Sequence, residues 1–299
     1  MIHGIINIYK EKGFTSHDVV AKARGILRQK KIGHTGTLDP DAVGVLPICL
    51  GKGTKLVPYL TEQDKTYEAE VILGTTTTTE DATGEVLETL PVTVTREQIV
   101  SVVQGFIGSY TQIPPMYSAI KINGVRLYEL ARQGLVVERP SREVKIYTCE
   151  IIEYLDDTRF RIRVQCSKGT YIRTLCTDIG VKLGCGAHMG ELIRTRVGPY
   201  TINESLTLTQ LEAVRDEAKL ESIIHPIEGV FMDYPKAIIK EAYIKALDNG
   251  NPLPLDAVVC EATISDKIRL YNTEDKFVGI YYLDEEKNRL SVDKIFIEK

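Results

Sequence analysis

Apolar positions along the chain change their period several times, and each change marks an expected element. Met1 to Ile8 is rich in isoleucine and reads as a strand. Ser16 is then placed to cap a helix, with Val19, Val20, Ala23, Ile26 and Leu27 recurring at helical spacing. Lys22, Arg24, Arg28, Lys30 and Lys31 occupy its other side. Tyr67 to Gly74 alternates with the period of a half-buried strand, followed by a threonine-rich run and a turn at Asp81-Ala82-Thr83-Gly84. Arg96 to Phe106 returns to helical spacing, with Ile99, Val102, Val103 and Phe106 on one face. Glu143 to Tyr154 and Arg159 to Cys166 read as strands. Leu183 to Val197 reads as a glycine-punctuated loop leading into a strand, and Leu208 to Ile224 as a helix. After a linker at Phe231 to Pro235, a helix is expected from Ala237 up to Asp248-Asn249-Gly250. Four short strands follow, at Lys267–Tyr271, Phe277–Leu283, Arg289–Val292 and Ile295–Ile297, with the turn spacing of a small barrel.

The segment 111–145 breaks this rhythm. Pro114-Pro115 interrupts regular structure, and Asn123-Gly124 is a hairpin signal. Six basic residues face three acids here, with Tyr117 and Tyr128 among them, a mixture suited to gripping RNA. At 299 residues the chain exceeds the usual size of one core, so two domains are expected, 1–232 and 233–299.

Net charge is −4, which taken alone argues against a nucleic-acid binder. Its distribution argues the other way. Residues 1–60 carry nine Lys/Arg against four Asp/Glu, and residues 161–200 carry seven against two. Positive charge is therefore concentrated where a phosphate backbone would need it. The six cysteines are scattered, with no Cys-x-x-Cys pair, so reduced core thiols are expected rather than a metal site. No apolar run approaches the roughly 20 residues of a membrane helix, and the amino terminus lacks the pattern of a secretory leader. A cytoplasmic, monomeric protein without membrane contact is expected.

The chemistry points to Gly33-His34-Thr35-Gly36-Thr37-Leu38-Asp39-Pro40-Asp41-Ala42-Val43-Gly44-Val45-Leu46-Pro47. Glycines allow backbone angles or close approaches that a side chain would block. Pro40 biases Asp39 away from helical geometry. An acid on a stiff turn with small neighbours suits close contact with a substrate.

With its continuation Ile48-Cys49-Leu50-Gly51, this stretch resembles the active-site motif of the TruB family, the bacterial synthases of tRNA pseudouridine-55. The resemblance extends to Lys10-Glu11-Lys12-Gly13-Phe14-Thr15-Ser16, Asp64-Lys65-Thr66-Tyr67, Ile113-Pro114-Pro115-Met116-Tyr117-Ser118-Ala119, Cys166 to Thr174 and Gly184 to His188, in family order. Glu11 stands where the family often has proline. Asn249 to Leu253 and Lys276 to Ile280 are similar to the family's carboxy-terminal PUA-like RNA-binding domain. The resemblance implies an α+β fold, the pseudouridine synthase fold: a mixed, mostly antiparallel sheet, a thumb-like insertion at about 111–145 and a small β-rich PUA-like domain. It implies the T stem-loop of tRNA as partner, with the target base flipped out of the loop.

Pseudouridine formation breaks the N1–C1′ bond of a uridine, turns the base and rejoins it through C5. The resemblance makes Asp39 the catalytic carboxylate, ionised at neutral pH and held so by a neighbouring cation. That cation is Arg173, and Tyr67 is the aromatic platform for the base. The resemblance also places His34 in the T loop and Leu192 against the uracil. Lys10, Lys168 and Tyr171 complete the expected substrate contacts. Whether the carboxylate attacks C1′ or removes the 2′ proton stays open. No metal or organic cofactor is expected, since nothing is oxidised and no group is added. Two other readings are an RNA chaperone that opens the tRNA elbow and a glycosidase-like hydrolase using Asp39 with Asp41.

Overall fold

A computed structural model describes residues 1–264 and 266–297. Its first strand, β1 (Gly4–Lys10), leads into helix α1 (Ser16–Leu27). Thr15 rather than Ser16 is the cap: its hydroxyl accepts from the Asp18 N–H, and Asp18 accepts from the Thr15 N–H in return. Ser16 lies inside, where its hydroxyl accepts from the Leu38 N–H at 2.9 Å. The helix buries Val19, Val20, Ala23 and Leu27 and ends at Arg28 in the left-handed region. Strands β2 (Ile32–His34) and β3 (Val43–Leu50) bracket the Asp39 loop, and α2 (Val57–Glu62) precedes β4 (Lys65–Leu73).

The threonine-rich run forms β5 (Thr75–Thr77), paired with β6 (Val86–Thr89) around the Asp81 turn. Helix α3 (Arg96–Gln104) and β7 (Gly108–Gln112) lead into the insertion, which holds β8 (Lys121–Ile122), β9 (Val125–Arg126) and α4 (Leu127–Ala131). Asn123 and Gly124 both adopt positive φ there, 52° and 84°, as a tight hairpin requires. Then come β10 (Arg142–Tyr154), β11 (Arg159–Cys166), α5 (Ile172–Leu183), β12 (Ala187–Val197), β13 (Tyr200–Thr201) and α6 (Leu208–Asp216). The last helix is shorter than its periodicity predicts. Ala218 takes φ 56°, which ends the α-helix, and a short 3₁₀ turn continues at Leu220–Ile223.

Nine of these strands form one sheet in the order β1-β3-β12-β4-β11-β10-β7, with β2 on β3 and β13 on β12, while β5-β6 and β8-β9 pair separately. Every pairing is antiparallel except β12 with β3, a parallel step of two residue pairs. The expected mixed, mostly antiparallel sheet is therefore present. One apolar core lies between α3, α5 and the strands β4, β10 and β11, through Ile99, Val103, Ile162, Val164, Leu175 and Ile179. A second packs α1 and α6 on β1 and β3 through Val19, Ala23, Ile8, Leu46 and Leu211. The parallel step joins the two halves. Gly44 makes it possible: at φ 107° a Cβ there would lie 2.2 Å from the Arg194 carbonyl oxygen.

The carboxy-terminal part contains β14 (Lys236–Ile239), α7 (Ile244–Asp248), β15 (Leu253–Pro254), β16 (Val258–Cys260), β17 (Lys267–Tyr271), β18 (Phe277–Asp284) and β19 (Arg289–Ile295). They form a six-stranded sheet, β15-β19-β18-β17-β14-β16. Two sequence expectations are corrected here. The helix expected from Ala237 begins only at Ile244, because Ala237 and Ile239 point inward at strand spacing and pair with β16 and β17. In place of the strands expected at Arg289–Val292 and Ile295–Ile297 there is one strand, Arg289–Ile295, with a register shift against β18, and residues 296–297 lie beyond its end. Phe231, Ile280 and Phe296 share an apolar core with Ile5, Val45, Leu56 and Leu60, which ties this sheet to the larger one.

Candidate active site

The loop between β2 and β3 is held from beneath by two buried cations that donate to its backbone carbonyls. Lys10 is fully buried, and its Nζ donates to the carbonyls of Ala42 (2.5 Å), Pro40 (3.0 Å) and Glu11 (3.2 Å). Arg194, 1% exposed, donates to Val45 O at 2.7 Å and Gly36 O at 3.1 Å. The backbone closes the turn through Ala42 N–H to Asp39 O at 3.1 Å. Leu38 and Ala42 face inward, so the loop turns Asp39 outward with 44% of its side-chain surface open.

Arg173 lies in the first turn of α5 and is almost wholly buried. Its Nε is 3.1 Å from Asp39 Oδ2 and 3.8 Å from Asp81 Oδ2. Its two terminal nitrogens donate to Thr79 O (3.1 Å) and Tyr117 O (2.8 Å). One guanidinium thus joins the Asp39 loop, the β5–β6 turn and the insertion. Asp81 was legible in sequence only as a turn residue. Its Oδ1 accepts from Thr79, from the Thr83 N–H and from the Thr83 hydroxyl, leaving Oδ2 toward Arg173. The signal available was an acid with a threonine two residues to either side, Thr79 and Thr83, since such hydroxyls can orient a carboxylate.

Tyr67 is opposite Arg194 across the β4–β12 ladder, and Leu192 is opposite Ala69, so both lie on one stretch of the sheet. Both are buried, and burial pushes the Tyr67 hydroxyl pKa up, with Arg194 opposing and Asp39 adding to the rise. His34 leaves β2 beside His17, ring to ring at 5.1 Å. Burial, then His17 and Arg194, push its pKa down. The Gly36 N–H points at His34 Nδ1 from 3.3 Å, which suits a neutral ring with its proton on Nε2.

Asp39 has its expected cation and a second influence as well. A cation is beside it, yet burial raises its carboxyl above the ordinary 3.8, with Arg173 opposing, Asp81 adding and Lys10 opposing. Lys10 is corrected: it is enclosed beneath the loop, where it meets carbonyl oxygens in place of a phosphate, and burial lowers its pKa to about 8. Lys168 is exposed and paired with Glu62. Tyr171 immediately precedes α5, its ring beneath the Arg142 guanidinium at 5.7 Å. Asp41 is exposed on the loop, and the second carboxylate beside Arg173 is Asp81. Among the described residues, no three His, Cys, Asp or Glu side chains are grouped to hold a metal ion.

This arrangement can present one anionic oxygen pair, fixed by a guanidinium, beside an aromatic and an aliphatic wall. Residues 24–172 match the TruB family pseudouridylate synthase N-terminal domain, and residues 173–232 match the tRNA pseudouridylate synthase B C-terminal domain. The tRNA pseudouridine synthase B of Lachnoclostridium phytofermentans is 52% identical over 307 residues, covering 99% of this chain and all of that protein. That of Bacillus subtilis is 44% identical over 306 residues, covering 100% and 99%. Among solved structures, a chain of a Cbf5-Nop10-Gar1 complex superposes with TM-score 0.75 at 30% identity, covering 99% of this chain and 85% of that one. A chain of an H/ACA RNP bound to a substrate RNA containing 2′-deoxyuridine gives 0.74 at 28%, with 99% and 86% covered. With relatives matched end to end at this identity and the fold shared throughout, the chain belongs to the TruB family of pseudouridylate synthases.

Proposed function

We propose that this enzyme converts uridine 55 in the T loop of tRNA to pseudouridine, with Asp39 as the catalytic carboxylate and no cofactor. The observation that carries this reading is the Asp39–Arg173 pair, 3.1 Å apart, with the arginine buried and the aspartate half-exposed. A guanidinium stays charged throughout and keeps one carboxylate oxygen aimed while the other meets the ribose. Either chemical route begins with loss of the N1–C1′ bond. The freed uracil turns against Tyr67 and Leu192, bonds to C1′ through C5, and exchanges its C5 proton for one on N1. A flat ring and an aliphatic side chain can hold a base during rotation without demanding one angle.

The uridine must leave its stack first, at a cost of a few kcal/mol offset by backbone contacts and by filling the vacated space. His34, on the strand beside the Asp39 loop, is the group proposed to fill it. Backbone contacts are assigned to the basic insertion and to a cleft of about 420 Å³ where Lys31 and Lys55 meet Ile295 of the carboxy-terminal sheet. Positive charge is dense there: burial, then Lys31, Lys294 and Lys52, lower the Lys55 pKa. We assign residues 233–299 to a PUA-like RNA-binding role on that basis; Ser265, Glu298 and Lys299 lie outside the described residues.

The test is release of the C5 hydrogen from tRNA labelled at that position, with mapping of the modified site. Asp39→Asn is expected to form no pseudouridine while tRNA affinity changes little. Product formation by that variant, or modification at a position other than 55 in the wild type, overturns the reading.

A further inference from the structure

Gln112, the last residue of β7, is wholly buried at the root of the insertion. Its side-chain amide grips both polar groups of one residue on another element. Nε2 donates to the Tyr171 carbonyl at 2.9 Å, and Oε1 accepts from the Tyr171 N–H at 2.8 Å. Tyr171 belongs to no strand. It stands at the start of α5, which has no side-chain cap of its own, and Arg173 follows two residues later. Tyr110, also in β7, donates to Asp178 further along α5. Five residues beyond Gln112, the Tyr117 carbonyl accepts from Arg173 at 2.8 Å.

The root of the insertion therefore touches the start of α5 through Tyr171 on one side and through the guanidinium on the other. Arg173 is bonded to groups on three separate segments, so a small drift of its backbone cannot be absorbed without breaking one of those contacts. An amide can donate and accept across one residue's backbone at once; an ionised carboxylate lacks the donor, and a thioether has no donor and only a weak acceptor.

We propose that Gln112 is a positioning residue for the reaction: by locking the start of α5 to the root of the insertion, it sets the Arg173 guanidinium against Asp39. This rests on the reading that Asp39 and Arg173 serve the chemistry. An Asp39→Asn control run beside the variants separates failure of that reading from failure of this one.

The experiment measures single-turnover rate at saturating tRNA, tRNA dissociation constant and melting temperature for Gln112→Met, Arg173→Lys and the double variant. Gln112→Met is expected to slow the single-turnover rate at least tenfold with the dissociation constant changed less than twofold. The double variant is expected to be no slower than Arg173→Lys alone, because both act through one guanidinium. Should Gln112→Met fail to fold, Gln112→Asn keeps an amide one methylene too short to span both bonds, and the same loss of rate is expected. A folded variant at the wild-type rate, a loss confined to tRNA affinity, or rate losses that multiply in the double variant would each overturn the proposal. So would failure of both variants to fold, which assigns Gln112 to stability alone.

Discussion

Asp39 is subject to opposing influences whose balance defines its working range. Burial and the neighbouring Asp81 raise its pKa, and Arg173 and Lys10 lower it, with the raising influences prevailing. An active carboxylate must be ionised, so the rate is expected to fall on the acid side with a midpoint above the ordinary aspartate value of 3.8. Asp81→Asn removes one raising charge and one partner of Arg173. The acid limb should then move to lower pH while the plateau rate drops on the order of tenfold, about 1.4 kcal/mol of barrier. Single-turnover rates across the acidic range check both; an unmoved limb would show that Asp39 does not control it.

At the scale of elements, the Asp39 loop owes its shape to bonds made to it by other segments. Lys10 reaches across from β1 to three carbonyls. Lys10→Met strands these acceptors in a buried place and is expected to cost about 2–4 kcal/mol of stability, read by denaturant unfolding. The sign of the pH dependence follows from its depressed pKa, about 8 in the folded chain against 10.5 unfolded. The unfolded state binds more protons between those values, so stability of the wild type rises with pH across that window. Its margin over Lys10→Met should therefore widen from about pH 8 upward; a constant margin would contradict the enclosed ammonium. Helix α1 shows a milder point: its N-cap is Thr15, one residue earlier than the expected Ser16, which is drawn inside to Leu38.

Across the whole molecule, two sheets share one apolar junction, with Lys55 donating to the Ile295 carbonyl at 2.6 Å. The basic cleft beside that contact is expected to follow a polyanion's backbone. Lys31→Glu and Lys55→Glu should each weaken tRNA binding severalfold and lower the salt slope by about 1, leaving the rate at saturating tRNA unchanged. Titrations of affinity against salt check this, and an unaltered slope would remove the cleft from the RNA path.

Local and repetitive features were legible in the order of residues alone. The turn-rich loop around Asp39, the strand alternation of Tyr67 to Gly74, the hairpin at Asn123-Gly124 and the buried face of α1 were all readable, because each is set by neighbours a few positions apart. It took the folded chain to place Lys10 beneath the loop, to share Arg173 between Asp81 and Asp39, and to set Gln112 against Tyr171. Those partners are separated by 30 to 134 positions in the chain. Their meeting depends on strand order and on one parallel step opened by Gly44, and no local period encodes either.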